Sequence, residues 1–207
     1  MTLCGLNELE EIRGSQLVYF DNYNEGLEFN NKQLKDEELI NFEFYGCRFI
    51  KCNFTGVIFK KCRFEDCIFI ECNLSLASPK FCSFIDVDFK NCKAIGINWS
   101  EAATPISINF YSSTINSSSF FGLNLTQIII SDCSAKEVNF TEANLTKGNF
   151  SATNFLNSRF SKTNLTQSDF RNSINYSINP EYNLLKQTRF STPEVISLLS
   201  GLDIILD

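Results

Sequence analysis

Large apolar residues recur in this chain every five positions, a period that suits neither a regular helix nor a regular strand. Counting from Phe29 in steps of five reaches Leu34, Leu39, Phe44, Phe49, Phe54, Phe59, Phe64, Phe69 and Leu74, breaks at Pro79, and resumes with Phe84, Phe89, Ala94 and Trp99. A second column, two residues earlier, runs Phe42, Cys47, Cys52, Val57, Cys62, Cys67, Cys72, Ala77, Cys82, Val87, Cys92 and Ile97. The remaining three positions of each cell are mostly polar or charged. A helix would scatter both columns around its circumference, and an unbroken strand would send successive cells to opposite faces. The chain must therefore turn once per cell. A short extended piece keeps the two columns on one side, and repeated turning in one sense gives a coil whose interior takes two side chains per cell.

After Trp99 the phase slips by one residue and then holds through Phe110, Ile115, Phe120, Leu125, Ile130, Ala135, Phe140, Leu145, Phe150, Phe155, Phe160, Leu165 and Phe170. Its companion column contains Ser113, Ser118, Thr153, Ser158, Thr163 and Ser168, whose hydroxyls need backbone partners if buried. The phenylalanines of both runs are the expected structural core. This phasing divides the chain into an N-terminal cap (1–25), a first repeat segment (26–99), the slip (100–109), a second segment (110–190) and a C-terminal cap (191–207). Pro79 at a central position predicts a bulge, and the slip predicts a kink between the segments. From Arg171 onward the pattern weakens until Phe190, which predicts an irregular coil.

Composition narrows the function. Phe is used 21 times against one Met and one Trp, the signature of one aromatic chosen for repeated equivalent sites. A formal charge of −6 argues against direct binding to nucleic acid through a basic face. The first residues lack a basic start followed by an apolar run, and no stretch reaches the length of a membrane span, so a cytoplasmic protein, or one delivered into another cell without a classical signal, is expected. The nine Cys then read as reduced thiols. Those in the repeat fall in the inward column and act as small hydrophobes, while Cys4 stands outside it as the accessible thiol. The chain has no His, which removes Ser-His and Cys-His pairs and the commonest metal ligand. Carboxylate pairs such as Glu65 with Asp66, or Asp86 with Asp88, sit at solvent-facing positions. No catalytic residue, metal site or cofactor is expected.

The strings KKCRFEDCIFIECNL and TEANLTKGNFSATNF resemble the pentapeptide-repeat family, whose cell is approximately A-[DN]-[LF]-x-x with Cys or Ser often replacing Ala. The resemblance spans residues 26 to about 190 and implies an all-β fold, a right-handed quadrilateral β-helix with four cells per coil. It also implies that Cys52, Cys72 and Cys92 stack in one column and Cys47 with Cys67 in another. At the C-terminus, Ser191 or Thr192 can cap a helix that Pro193 begins and Gly201 ends, with Val195, Leu198, Leu199 and Leu202 along one stripe. An extended segment through Ile204, Ile205 and Leu206 follows. This tail resembles that of the Qnr-type quinolone-resistance proteins and makes these seven apolar residues a candidate homodimer interface, with a cap on a monomer as the alternative. The expected function is a non-catalytic protein-interaction scaffold. The resemblance of the tail implies the alternative, binding and protection or inhibition of a type II DNA topoisomerase such as DNA gyrase.

Overall fold

The computed structural model describes residues 19–201. Most of the expected N-terminal cap, with Cys4, and the tail residues Leu202, Ile204, Ile205 and Leu206 lie outside the described residues. The turn that the period demands is made by one residue per cell, two positions after the central apolar one. Asn31, Asp36, Asn41, Gly46 and Lys51 begin a series with φ of 54° to 60° that recurs at each corner along most of the chain. This left-handed conformation crowds Cβ against the backbone, and Gly, Asn and Asp accept it most readily. Between corners lie strands of three residues, such as Glu28–Asn30, Glu43–Tyr45 and Arg48–Ile50, each burying its middle residue.

Each strand pairs in parallel with one twenty residues further on, as in Phe29↔Phe49, Phe49↔Phe69 and Leu39↔Phe59. Twenty residues are four cells, so the chain is a right-handed quadrilateral β-helix of about eight turns. The first face carries the column from Phe29, the second that from Leu34, the third that from Leu39 and the fourth that from Phe44. Inside, rings stack coil on coil: Phe49 on Phe69 at 4.6 Å, Phe69 on Phe89 at 4.9 Å, and Phe140 on Phe160 at 5.1 Å. All the phenylalanines expected in the core are buried. At the N-terminal end, Phe20 lies edge-on across Phe29 and Phe44 at 4.8 and 5.3 Å and closes the core.

The companion column bonds one coil to the next. Cys72 Sγ donates to the Phe49 carbonyl (3.3 Å) and accepts the Cys52 N–H (3.4 Å), while Cys92 does the same for Phe69 and Cys72 (3.4 Å each). In the second segment hydroxyls take over. Thr153 Oγ1 donates to the Ile130 carbonyl (2.8 Å) and accepts the Cys133 N–H (3.2 Å), and Ser118 serves Ala94 (2.9 Å) and Ile97 (3.0 Å) alike. Asn183 plays the same part at the far end, donating to the Phe160 carbonyl at 3.1 Å and accepting the Thr163 N–H at 3.0 Å.

Three expectations need correction. Pro79 makes no bulge, since Ser78–Lys80 is a strand in register with Ile58–Lys60. The N–H groups of central residues point toward the following coil, as from Phe54 to Asn73. Pro79 has none to offer, and the three-stranded ladder of the third face ends there. The carbonyl of Asn98 that would have received it accepts the Glu101 N–H instead (3.2 Å), within a 3₁₀ turn over Trp99–Glu101.

The slip produces no kink along the ladders. Partners stand twenty-one apart at Val87↔Ile108, Lys93↔Thr114 and Asn98↔Ser119, then twenty apart from Thr114↔Ser134 to Asn154↔Ile174. Phe89 and Phe110 remain stacked at 5.0 Å with rings 13° apart, so the core passes straight through. The extra residue is absorbed on the fourth face, where Thr104 and Pro105 stand exposed between buried Ala102 and Ile106. The four-stranded sheet of that face stops at Ser83–Ile85, and pairing resumes with Asn124↔Asn144.

The C-terminal helix is 3₁₀ rather than α, over Glu194–Gly201. A 3₁₀ turn aligns residues three apart, so Val195 and Leu198 face inward while Leu199 is exposed. Before it, the weak-patterned coil is indeed irregular: Phe160 pairs with Ile178, eighteen residues on, and Tyr176 and Ile178 fill the core.

Thr153→Val keeps shape but leaves the Ile130 carbonyl and Cys133 N–H unpaired in the interior, and should cost about 1–3 kcal/mol. Thr153→Ser preserves the bridge and should cost less, a contrast that urea denaturation can measure.

Candidate functional site

The described interior is packed with apolar side chains, thiols and hydroxyls. The eight described cysteines are all buried and free. Cys67 donates to the Phe44 carbonyl at 3.3 Å, and Cys133 to the Phe110 and Ser131 carbonyls at 3.6 and 3.1 Å. Burial pushes both thiols up to about 12, and Cys82 is raised by its bond with Cys62 and by burial. A thiol held neutral is neither a nucleophile nor a metal ligand, and no group of three or more metal-ligating side chains exists among the described residues. Of the carboxylates singled out in the sequence, Asp66 is exposed and the other three are engaged locally. Glu65 pairs with Arg63 at 2.5 Å, Asp88 with Lys90 at 3.3 Å, and Asp86 accepts from Ser107 Oγ at 2.8 Å.

The outward positions flank each central residue or sit on the corners, and the ladders beneath hold them on flat, fixed faces. Three features interrupt the regular surface. A cleft of about 240 Å³ opens where the slip breaks the fourth face, lined by Asp86, Ser107, Asn109, Thr126, Gln127 and Ile129 among others. Asn109 organises its floor by donating to Asp88 (3.1 Å) and accepting the Ile129 N–H (3.0 Å).

The second feature is a pair of apolar corners. Leu76 and Phe81 have φ of 62° and 56°, and two thirds of each side chain is exposed (66 and 67%). All other left-handed residues described are polar, charged, Gly or Ala. A left-handed Leu or Phe carries backbone strain on the order of 1–3 kcal/mol, and here no burial offsets it. Sequence reading missed both residues, although their phase identified them: they are large apolar side chains two positions after a centre, where the repeat places polar ones.

The third feature is the C-terminal end. Of the seven residues proposed there as a dimer interface, Leu198 packs against the core, Val195 is half-buried and Leu199 is exposed beside Ile196. The other four lie outside the described residues. No described helix is long and apolar enough to cross a membrane.

Residues 41–120 match the family model for a pentapeptide repeat region, and residues 118–155 and 136–172 match the model for pentapeptide repeats (8 copies). The chain belongs to the pentapeptide-repeat family. Among solved structures it is similar to full-length QnrB1, a plasmid-mediated fluoroquinolone resistance protein, with 18% identity over 88% of this chain and 100% of that one and a TM-score of 0.60. It is also similar to HetL, a pentapeptide repeat protein involved in heterocyst differentiation regulation from the cyanobacterium Nostoc sp. strain PCC 7120 (12% identity, 87% and 92% coverage, TM-score 0.29). At 18% identity the likeness to QnrB1 is one of fold. No curated protein matches the chain.

The thiols carry a pH dependence. Burial raises the protonation constants of Cys67 and Cys133 on folding, so the stability these two contribute is complete below the unfolded value near 8.5 and is lost as pH rises toward about 12. Each should remove about 1.4 kcal/mol per pH unit in that window. Melting curves from pH 8 to 11 should fall more steeply for the parent than for a Cys67→Ser/Cys133→Ser variant.

Proposed function

We propose that this protein is a non-catalytic interaction scaffold whose outer faces bind another protein. The observation that carries the reading is the division of labour within each cell. The two inward side chains fill the core or bond successive coils, while the outward ones stand on a surface fixed by parallel ladders. Such a surface varies in chemistry without altering the fold beneath it, which is how solenoids generally recognise extended partners. Affinity capture with the full chain, with partners identified by mass spectrometry, tests the reading; recovery of no protein above a scrambled-surface control would remove it.

A second, narrower reading is binding of a type II DNA topoisomerase, with protection from or inhibition by competition with DNA and drug. Its support is the resemblance of the C-terminal tail to Qnr-type proteins and the likeness in fold to a fluoroquinolone resistance protein over the whole of that chain. Supercoiling by purified DNA gyrase, titrated with this protein with and without a quinolone, should show inhibition or rescue at low micromolar concentration on the topoisomerase reading and no change on any other. The same tail is proposed to pair two subunits, with Leu199 and Ile196 outward and Leu198 serving the core. Leu199→Asp should then halve the mass seen in light scattering with little loss of stability, and a parent of monomer mass would end the pairing proposal.

A further inference from the structure

We propose that the third face and its flanking corners, around residues 58–81, form a docking surface for an acidic protein segment that carries apolar side chains. The inference rests on the scaffold reading and adds the chemistry of the partner. Leu76 and Phe81 occupy the two corners that bound one side of a single coil, and both are directed to solvent in a backbone conformation that disfavours them. Ile58, on the strand between those corners one coil earlier, is also exposed. Three lysines surround them. Lys60 and Lys80 are partners across the ladder, and the Lys61 N–H bonds the Lys80 carbonyl at 2.9 Å, which places Lys61 directly beneath Phe81.

None of these three lysines makes an ion pair among the described residues, whereas Arg48, Lys51, Arg63 and Lys90 all do. The acid facing them from the following coil, Glu101, is engaged by Ser78 Oγ (2.7 Å) and Asn98 Nδ2 (3.3 Å). From the preceding coil Glu38 borders Ile58, so three lysines stand against two carboxylates, a net positive, apolar patch on a chain of net charge −6. Exposed apolar groups rimmed by charge mark an interaction site, and the uncompensated lysines specify acidic groups on the partner. A nucleic acid matches less well. Two of the three apolar groups here, Ile58 and Leu76, are aliphatic and offer no stacking platform for bases.

The test uses the full chain and a fluorescein-labelled amphipathic helical peptide with leucines on one face and glutamates on the other. Anisotropy should show salt-sensitive binding that weakens roughly tenfold or more in Phe81→Asn and in Lys61→Glu/Lys80→Glu, and a peptide with lysine in place of glutamate should not bind. Phe81→Asn should melt at or above the parent temperature, because Asn accepts the left-handed corner, so lost binding cannot be ascribed to lost fold. Absence of binding, or binding unchanged in both variants, overturns the surface. Equal binding of a labelled single-stranded oligonucleotide with the same dependence on Lys61 and Lys80 overturns the choice of partner. Partner capture and the supercoiling titration do not use this probe, so failure here leaves the scaffold reading to be judged by them.

Discussion

The whole architecture depends on a backbone demand that recurs every five residues: one residue must enter the left-handed region. That single conformation turns the chain through a corner, brings the next strand into line with its partner twenty residues away, and directs two side chains inward. Side-chain choice at the corner follows from it. Asn31, Asp36, Asn41, Gly46 and Gly56 take the conformation at low cost, whereas Lys51, Lys61 and Glu71 take it with long side chains reaching water. The cost of each corner is offset by what it makes possible, a ring stacked on a ring and a pair of ladder hydrogen bonds per strand.

A second constraint comes from the interior. A side chain two residues before each centre lies beside backbone groups of the preceding coil, and a thiol or a hydroxyl there both donates and accepts. This explains why Cys, Ser and Thr interchange between the halves of the molecule although their polarity differs. Val57, Val87 and Val138 occupy the same column without a polar atom and contribute volume alone. The described cysteines consequently belong to the structural frame, and the elevated protonation constants of Cys67 and Cys133 follow from their burial in it.

The coil was legible because a period of five leaves few options, its four sides were implied by the family resemblance, and the buried columns were readable from Phe29 for the central one and from Phe42 for its companion. What the sequence could not disclose was how local irregularities would be absorbed. Pro79 reads as a disruption in any strand, yet its effect depends on which way the ladder's N–H groups point, and that is set by the handedness of the coil. The slip was visible as a change of phase, but the side that took up the extra residue was decided by the packing of Ala102 and Ile106. An apolar stripe at the C-terminus does not separate an α-helix from a 3₁₀ helix over eight residues. Leu76 and Phe81 were legible and overlooked, since the eye follows the columns that repeat and passes over the phase in which apolar residues should be absent.

Two of these irregularities fall between the same pair of coils. Pro79 ends the ladder of the third face, and the fourth face is interrupted after Ser83–Ile85, so across this boundary the regular ladders of only the first and second faces continue without a break. In a molecule where each coil touches only its neighbours, cohesion is a sum of nearest-neighbour couplings, and on these two sides the coils are joined outside a regular ladder, by the bonds of Phe81 to Glu101, Ala103 to Cys82 and Ser107 to Phe84. Along this line the two halves of the spiral share regular rungs on two sides only. The lone tryptophan, Trp99, sits at that line.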